Sequence, residues 1–150
     1  MKGATTGKGG GLDYWGPTMN IGRDPRWGRT QESVSEDPFL NGAYASAFVR
    51  GFQGADDGVN YVKAAACCKH FYAYSLEGSD GFTRHNFNAK VSMRDLHETF
   101  LPAFAACVAA MPEQIMCSYN AVNGVPTCLD GKAQNGYLRQ QLGFKGLIVR

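Results

Sequence analysis

Short apolar runs alternate with amphipathic segments along most of this chain, and that alternation limits the fold more than any other feature. Runs at residues 18–21, 62–68, 115–117 and 146–149 read as strands. Three helical segments lie between them. Asp37-Pro38 supplies an N-cap and a first-turn proline for the first helix. Leu40, Ala43, Tyr44, Ala47, Phe48 and Phe52 are its expected apolar face, and Gly54 ends it. Ser92 and Asp95 form a capping box for the second, with Asp in place of the usual Glu. Leu96, Phe100, Leu101, Phe104, Cys107 and Val108 line one side of that helix, and Pro102 is expected to kink or split it. The third helix spans residues 131–142, carries Tyr137, Leu138 and Leu142, and closes at Gly143. The order β-α-β-α-β-α-β predicts an α/β fold with a parallel sheet covered by helices. An open doubly wound sheet and part of a (β/α)8 TIM-like barrel both satisfy it. In both, ligands meet the carboxyl ends of the strands.

Composition narrows the function classes. Of 150 residues, 44% are hydrophobic and 19% charged, a globular balance rather than a disordered one. A formal net charge of +2 gives no basic field, so no nucleic-acid partner is expected. No apolar run reaches the roughly 18 residues of a membrane span, and no membrane partner is expected. The five cysteines show no Cys-x-x-Cys pair, and the three histidines do not fall at zinc spacings, so neither metal nor cofactor is expected. Buried, inert thiols are the expected state of the cysteines. Cys117 and Cys128 flank a turn-rich loop and are placed to bridge it in an oxidising compartment. Residues 1–11 read as a flexible leader with no apolar signal-peptide core, so the chain itself indicates no compartment. A glycine-lysine step within that leader misses phosphate-loop spacing and follows no strand.

Candidate functional residues gather after the expected strands. Arg23-Asp24-Pro25-Arg26-Trp27-Gly28-Arg29 follows the first, with one arginine expected to face a ligand and the others to pair with acids such as Glu32, Glu36 and Asp37. Lys69-His70 follows the buried run at residues 64–68, and two polar side chains there need partners. A long stretch without clear period, residues 69–90, mixes Tyr72, Tyr74, Glu77, Asp80, Phe82, Arg84 and His85. Aromatic faces interleaved with hydrogen-bonding groups suit a sugar, whereas Phe71 and Phe87 read as core. Ser118-Tyr119-Asn120 follows the third strand, and Asn123-Gly124 marks a tight turn.

As a spaced set, these motifs resemble glycoside hydrolase family three, the β-glucosidase and β-xylosidase family. The set includes Arg23 to Arg29, Glu36-Asp37-Pro38, Lys69-His70-Phe71, Arg94-Asp95-Leu96, and Ser118-Tyr119-Asn120 with Asn123-Gly124 and Pro126. Tyr74-Ser75-Leu76-Glu77 followed by Arg84, His85 and Phe87-Asn88-Ala89 is more similar to the β-xylosidase branch. The resemblance implies that residues 12–150 are part of the family's N-terminal barrel, roughly four β-α units. It implies sugar contacts in the −1 subsite from Arg29, Lys69, His70 and Arg84. Tyr119 then lies beside the nucleophile, and Glu77 excludes a hydroxymethyl group. The implied ligand is a small or oligomeric saccharide with β-linked xylose or glucose. The family's nucleophile is an Asp after a Ser, directly beyond the strand at 146–149, where Arg150 occupies the Ser position. Its acid/base comes from a later domain, and an upstream sugar-gripping Asp has no counterpart in residues 1–30. No catalytic residue is therefore expected within the chain, which should be inactive alone and prone to associate through unpaired barrel edges. A non-catalytic sugar-binding module and an autonomous phosphate-binding α/β domain are the alternatives.

Overall fold

A computed structural model describes residues 11–54, 58 and 61–150. The expected leader lies, apart from Gly11, outside the described residues. Four parallel strands make the central sheet: β1 (Asp13–Tyr14), β2 (Ala65–Phe71), β6 (Gln114–Cys117) and β9 (Leu147–Val149). They lie side by side in chain order, each parallel to the next. The α/β class and the parallel sheet are as the alternation predicts.

Helix α1 (Pro38–Gln53) starts where the Asp37 side chain accepts from the Phe39 N–H, and it stops at left-handed Gly54, φ +75°. Its buried face is only partly the expected one: Phe48 and Phe52 are half-buried, and Phe52 packs against the core. Asn41, Gly42, Ala45, Val49 and Gln53 are buried, whereas Ala43, Tyr44 and Ala47 are exposed and Leu40 is 49% exposed. Close packing on α3 (Pro102–Ala109) is the reason. A Cβ at Gly42 would stand 2.9 Å from the Ala106 methyl, and Ser46 Oγ donates to the Ala106 carbonyl at 2.8 Å. Such an approach selects small residues, and the large apolar ones are displaced to its flank.

The capping box opens α2 (Met93–Asp95), with Ser92 Oγ accepting from the Asp95 N–H. Pro102 splits the helix as expected. A wider π-type turn (Leu96–Phe100) precedes it, closed by Leu101 N–H donating to the Leu96 carbonyl at 2.8 Å. Helix α4 (Lys132–Gln141) also has π-type hydrogen bonding, and it buries Ala133 and Leu138. Phe71, Phe104, Ile115, Leu138 and Val49 meet in the core between sheet and helices.

Two of the four expected strands shift. The expected first strand at 18–21 holds only a single bridge, Thr18 to Lys69, and the regular strand is β1. Pro17 has no N–H to give a ladder. Further on, the Asn20 side chain rather than its backbone takes the groups that His70 offers. The second strand starts and ends three residues later than expected, so Lys69 and His70 lie inside it. The residues 69–90 are not one loop. Asp80-Gly81, both at positive φ, turn a hairpin of β3 (Gly78–Ser79) and β4 (Phe82–Thr83), and β5 (Asn88–Ala89) follows. Asn123-Gly124 likewise turn β7 (Ala121–Val122) into β8 (Val125–Pro126), beside β5.

Among the cysteines, the bridge across the turn-rich loop forms as the sequence allows, and a second bridge departs from the expected inert thiols. Cys117 bridges to Cys128, and Cys68 bridges to Cys107 across sheet and helix. Cys67 alone is free; it is fully buried, and desolvation pushes its thiol up to about 12. Among the described residues, no helix is long and apolar enough to cross a membrane, and no three His, Cys, Asp or Glu side chains group as a metal site.

Candidate carbohydrate site

The polar cluster grows from the carboxyl end of β2. Pairing with β6 slips there: Lys69 faces Met116 and Phe71 faces Cys117, which leaves His70 as an extra residue. Lys69 Nζ lies 3.4 Å from Glu32 Oε2. Both Glu32 oxygens take hydrogen bonds from Arg29, at 2.6 and 2.8 Å. This two-point pairing holds the Glu32 carboxyl down at about 2, with Lys69 adding to it, and raises the Arg29 guanidinium. His70 is 6% exposed. Burial first, and then the charges of Arg29 and Lys69, push its imidazole down to about 3, so it is neutral.

Tyr74, in the sequence one aromatic among several of the 69–90 stretch, is the hub. Its ring meets the edge of Trp27 at 5.7 Å and of His70 at 5.0 Å, and the Arg29 guanidinium lies over it at 5.6 Å. Trp27 sits in a single turn (Pro25–Trp27) capped by the Asp24 side chain, so the tight Asp-Pro-Arg-Trp-Gly sequence delivers Trp27 inward. Gly28, at φ +93°, then turns the chain toward Arg29, and a Cβ there would press on Glu77 at 3.1 Å. Of the other arginines, Arg26 pairs with Asp24 at 2.7 Å, and Arg23 lies over the Phe100 ring. Neither uses Glu36 or Asp37, contrary to that part of the expected pairing.

Glu77, Arg84 and Tyr119 form the second half of the cluster. Glu77 Oε1 accepts from Arg84 at 3.0 Å, and the Arg84 guanidinium lies 5.2 Å over the Tyr119 ring. Their backbones are tied as well: Glu77 N–H donates to the Trp27 carbonyl, and Arg84 N–H to that of Glu77. The two halves share one field, since Glu77 and Tyr119 act on Arg29 and Arg84 acts on His70. All six sequence-selected residues therefore gather on one face. Tyr119 is held from behind. Ser118 Oγ and Asn120 Nδ2 both donate to the Tyr72 carbonyl, and the Cys117–Cys128 bridge closes the loop.

The site is an open face rather than an enclosed pocket. A cleft of about 290 Å³ lined by Asp24, Trp27, Leu76 and Phe82 adjoins it through Trp27. Larger cavities lie elsewhere, between α1 and α3 (about 380 Å³) and around Met111 and Phe144 (about 410 Å³). Chemically, the face offers three cations, a neutral imidazole, two arginine-paired carboxylates and aromatic walls.

Residues 10–150 match the model for the glycosyl hydrolase family 3 N-terminal domain, and the chain belongs to that family. Among its relatives, probable beta-D-xylosidase 7 of Arabidopsis thaliana is 48% identical over 149 residues, 95% of this chain and 19% of that protein. Beta-xylosidase/alpha-L-arabinofuranosidase 1 of Medicago sativa subsp. varia is 48% identical over 93% of this chain and 18% of its own length. The chain thus spans about a fifth of these relatives. A solved family exo-beta-xylosidase, XlnD, in complex with a xylobiose aziridine probe, superposes with a TM-score of 0.87 at 34% identity, covering 93% of this chain and 18% of that one. Beta-glucosidase 3B from Thermotoga neapolitana in complex with glucose gives 0.82 at 35% identity, with the same coverages.

Proposed function

We propose that this chain is a section of the barrel wall of a family 3 β-glycosidase of the β-xylosidase type, and that it carries part of the −1 sugar subsite. Supporting the barrel reading, the four strands neighbour one another in chain order without the reversal that makes a doubly wound switch point. Open edges at β1 and β9 are then meant for further strands, and the isolated chain should self-associate through them.

One observation carries the functional reading: Arg29, Lys69 and His70 converge at the carboxyl end of β2, although 40 residues separate the first from the other two. Cationic donors, a neutral imidazole and aromatic faces suit a ring with several hydroxyls. Arg84 joins them as a fourth contact. Glu77, held by Arg84, narrows the space where a hexose carries its hydroxymethyl group, which favours xylose. Tyr119 borders the reacting bond.

Retaining hydrolysis needs two carboxyl groups roughly 5–5.5 Å apart on either side of that bond. Glu32 and Glu77 do not fill those roles, because an arginine engages each. The supporting groups here hold the sugar, and in the whole protein the nucleophile and acid/base are other carboxylates. The test pairs calorimetric titration of the chain with methyl β-D-xyloside against turnover of p-nitrophenyl β-xyloside. Binding without turnover is expected. Turnover by the 150 residues overturns the assignment of chemistry, and tighter binding of ATP than of sugar overturns the carbohydrate reading.

A further inference from the structure

Asn20 commits its whole side-chain amide to His70. Its Nδ2 donates to the His70 carbonyl at 2.9 Å, and its Oδ1 accepts from the His70 backbone N–H at 2.8 Å. These two bonds fix which end of the amide is oxygen, since the reverse orientation sets an NH₂ against an N–H. The same Oδ1 lies 3.1 Å from Nδ1 of the imidazole. A carbonyl oxygen only accepts, so Nδ1 carries the hydrogen. In the neutral ring Nε2 is then a lone-pair acceptor, and no partner engages it among the described residues. Burial and the cations Arg29, Lys69 and Arg84 all oppose a second proton on the ring, and Glu32 favours it.

We infer that Asn20 is a positioning residue of this site: it holds His70 as the Nδ1–H imidazole, whose Nε2 accepts a hydrogen bond from a substrate hydroxyl. This rests on the sugar reading above and deepens it. A hydroxyl is both donor and acceptor. It gives its hydrogen to His70 Nε2 while its oxygen accepts from a neighbouring cation such as Lys69. An inorganic phosphate dianion or a carboxylate meets Nε2 with lone pairs against a lone pair. The site thereby prefers a neutral polyol to an anion in spite of its arginines and lysine.

The test is long-range ¹H–¹⁵N NMR of the imidazole in the 150-residue chain. The double variant His85→Gln/His97→Gln leaves His70 as the one histidine. Expected is a protonated Nδ1 and a pyridine-like Nε2, unchanged from about pH 7 to about pH 5. An Nε2–H tautomer, or protonation near the ordinary value of about 6.5, overturns the proposal. Methyl β-D-xyloside is expected to shift Nε2 away from its pyridine-like position, and inorganic phosphate to leave it in place. A xyloside that moves other site signals but not Nε2 overturns the acceptor role. A xyloside that moves nothing, with the Nδ1–H tautomer intact, removes the sugar reading and leaves the hold of Asn20 on His70 standing. Asn20→Ala should admit the Nε2–H form, and Asn20→Asp should bring His70 into the titrating range. A tautomer unchanged in a folded Asn20→Ala chain contradicts the assignment. If that variant does not fold, the tautomer in the chain with Asn20 intact decides alone.

Discussion

Arg29 and Glu32 make a two-point ion pair, Nε to Oε1 at 2.6 Å and the second terminal nitrogen to Oε2 at 2.8 Å, three residues apart on a single turn. The pair sets Arg29 beside Lys69 and His70, and it makes the acid behaviour of the site predictable. The Glu32 carboxyl titrates at about 2 in the folded chain, below its unfolded value of 4.5. A depressed carboxyl contributes stability above the unfolded value and loses it as pH falls toward the folded one. Glu32→Gln should therefore reduce stability near neutral pH by about 1 kcal/mol, after allowance for solvent screening of a partly exposed pair. The difference from the unmodified chain should vanish between about pH 4.5 and pH 2. Urea unfolding across that range checks it, and a pH-independent difference contradicts it.

His70 adds a second acid-sensitive window. Its folded value, about 3, lies below the ordinary 6.5, so the unfolded chain takes up a proton first. Stability is fully present above about pH 6.5 and falls on acidification toward 3. Near pH 5 the loss should be about 2 kcal/mol. His70→Gln should flatten this part of the profile, and an unaltered slope in that variant would place the proton elsewhere.

Gly42→Val tests the packing of α1 on α3. The new side chain meets the Ala106 methyl and the Ala103 backbone. A loss of about 1–3 kcal/mol in chemical unfolding is expected for overpacking of this kind. Leu40→Ala, on the exposed flank, should change stability by under about 0.5 kcal/mol.

That contrast marks what the sequence made legible. Alternation, the Asp37-Pro38 and Ser92 caps, and the Pro102 split were readable because each is local. The buried face of α1 was not, because Tyr44 and Phe48 outweigh Gly42 and Ala45 in any hydropathy pattern, and only the partner helix decides which set is covered. The Asp80-Gly81 hairpin was signalled by its dipeptide and was obscured by the surrounding polar residues. Lys69, His70 and Arg29 stood out as charge beside apolar runs. Asn20 did not, and Tyr74 was one aromatic among several, since their parts depend on contacts across 50 and 45 residues.

Cys117 and Cys128 should be joined, Cys68 and Cys107 likewise, and Cys67 should be free. Peptide mapping without reduction checks this pairing. Replacing both Cys117 and Cys128 by Ser should lower stability by about 2–3 kcal/mol for a loop of this length. It should also broaden the Tyr119 signals, because only hydrogen bonds of Ser118, Asn120 and Thr127 would then hold that loop.

The most direct test of the sugar-site assignment is amide NMR of the chain titrated with methyl β-D-xyloside, beside the matching glucoside. Xyloside-induced shifts are expected to be confined to Arg29, Lys69, His70, Glu77, Arg84, Tyr119 and their immediate neighbours, with a weaker response to the glucoside. Shifts that leave Arg29, Lys69 and His70 untouched, or no response up to the solubility limit of the sugar, would contradict it.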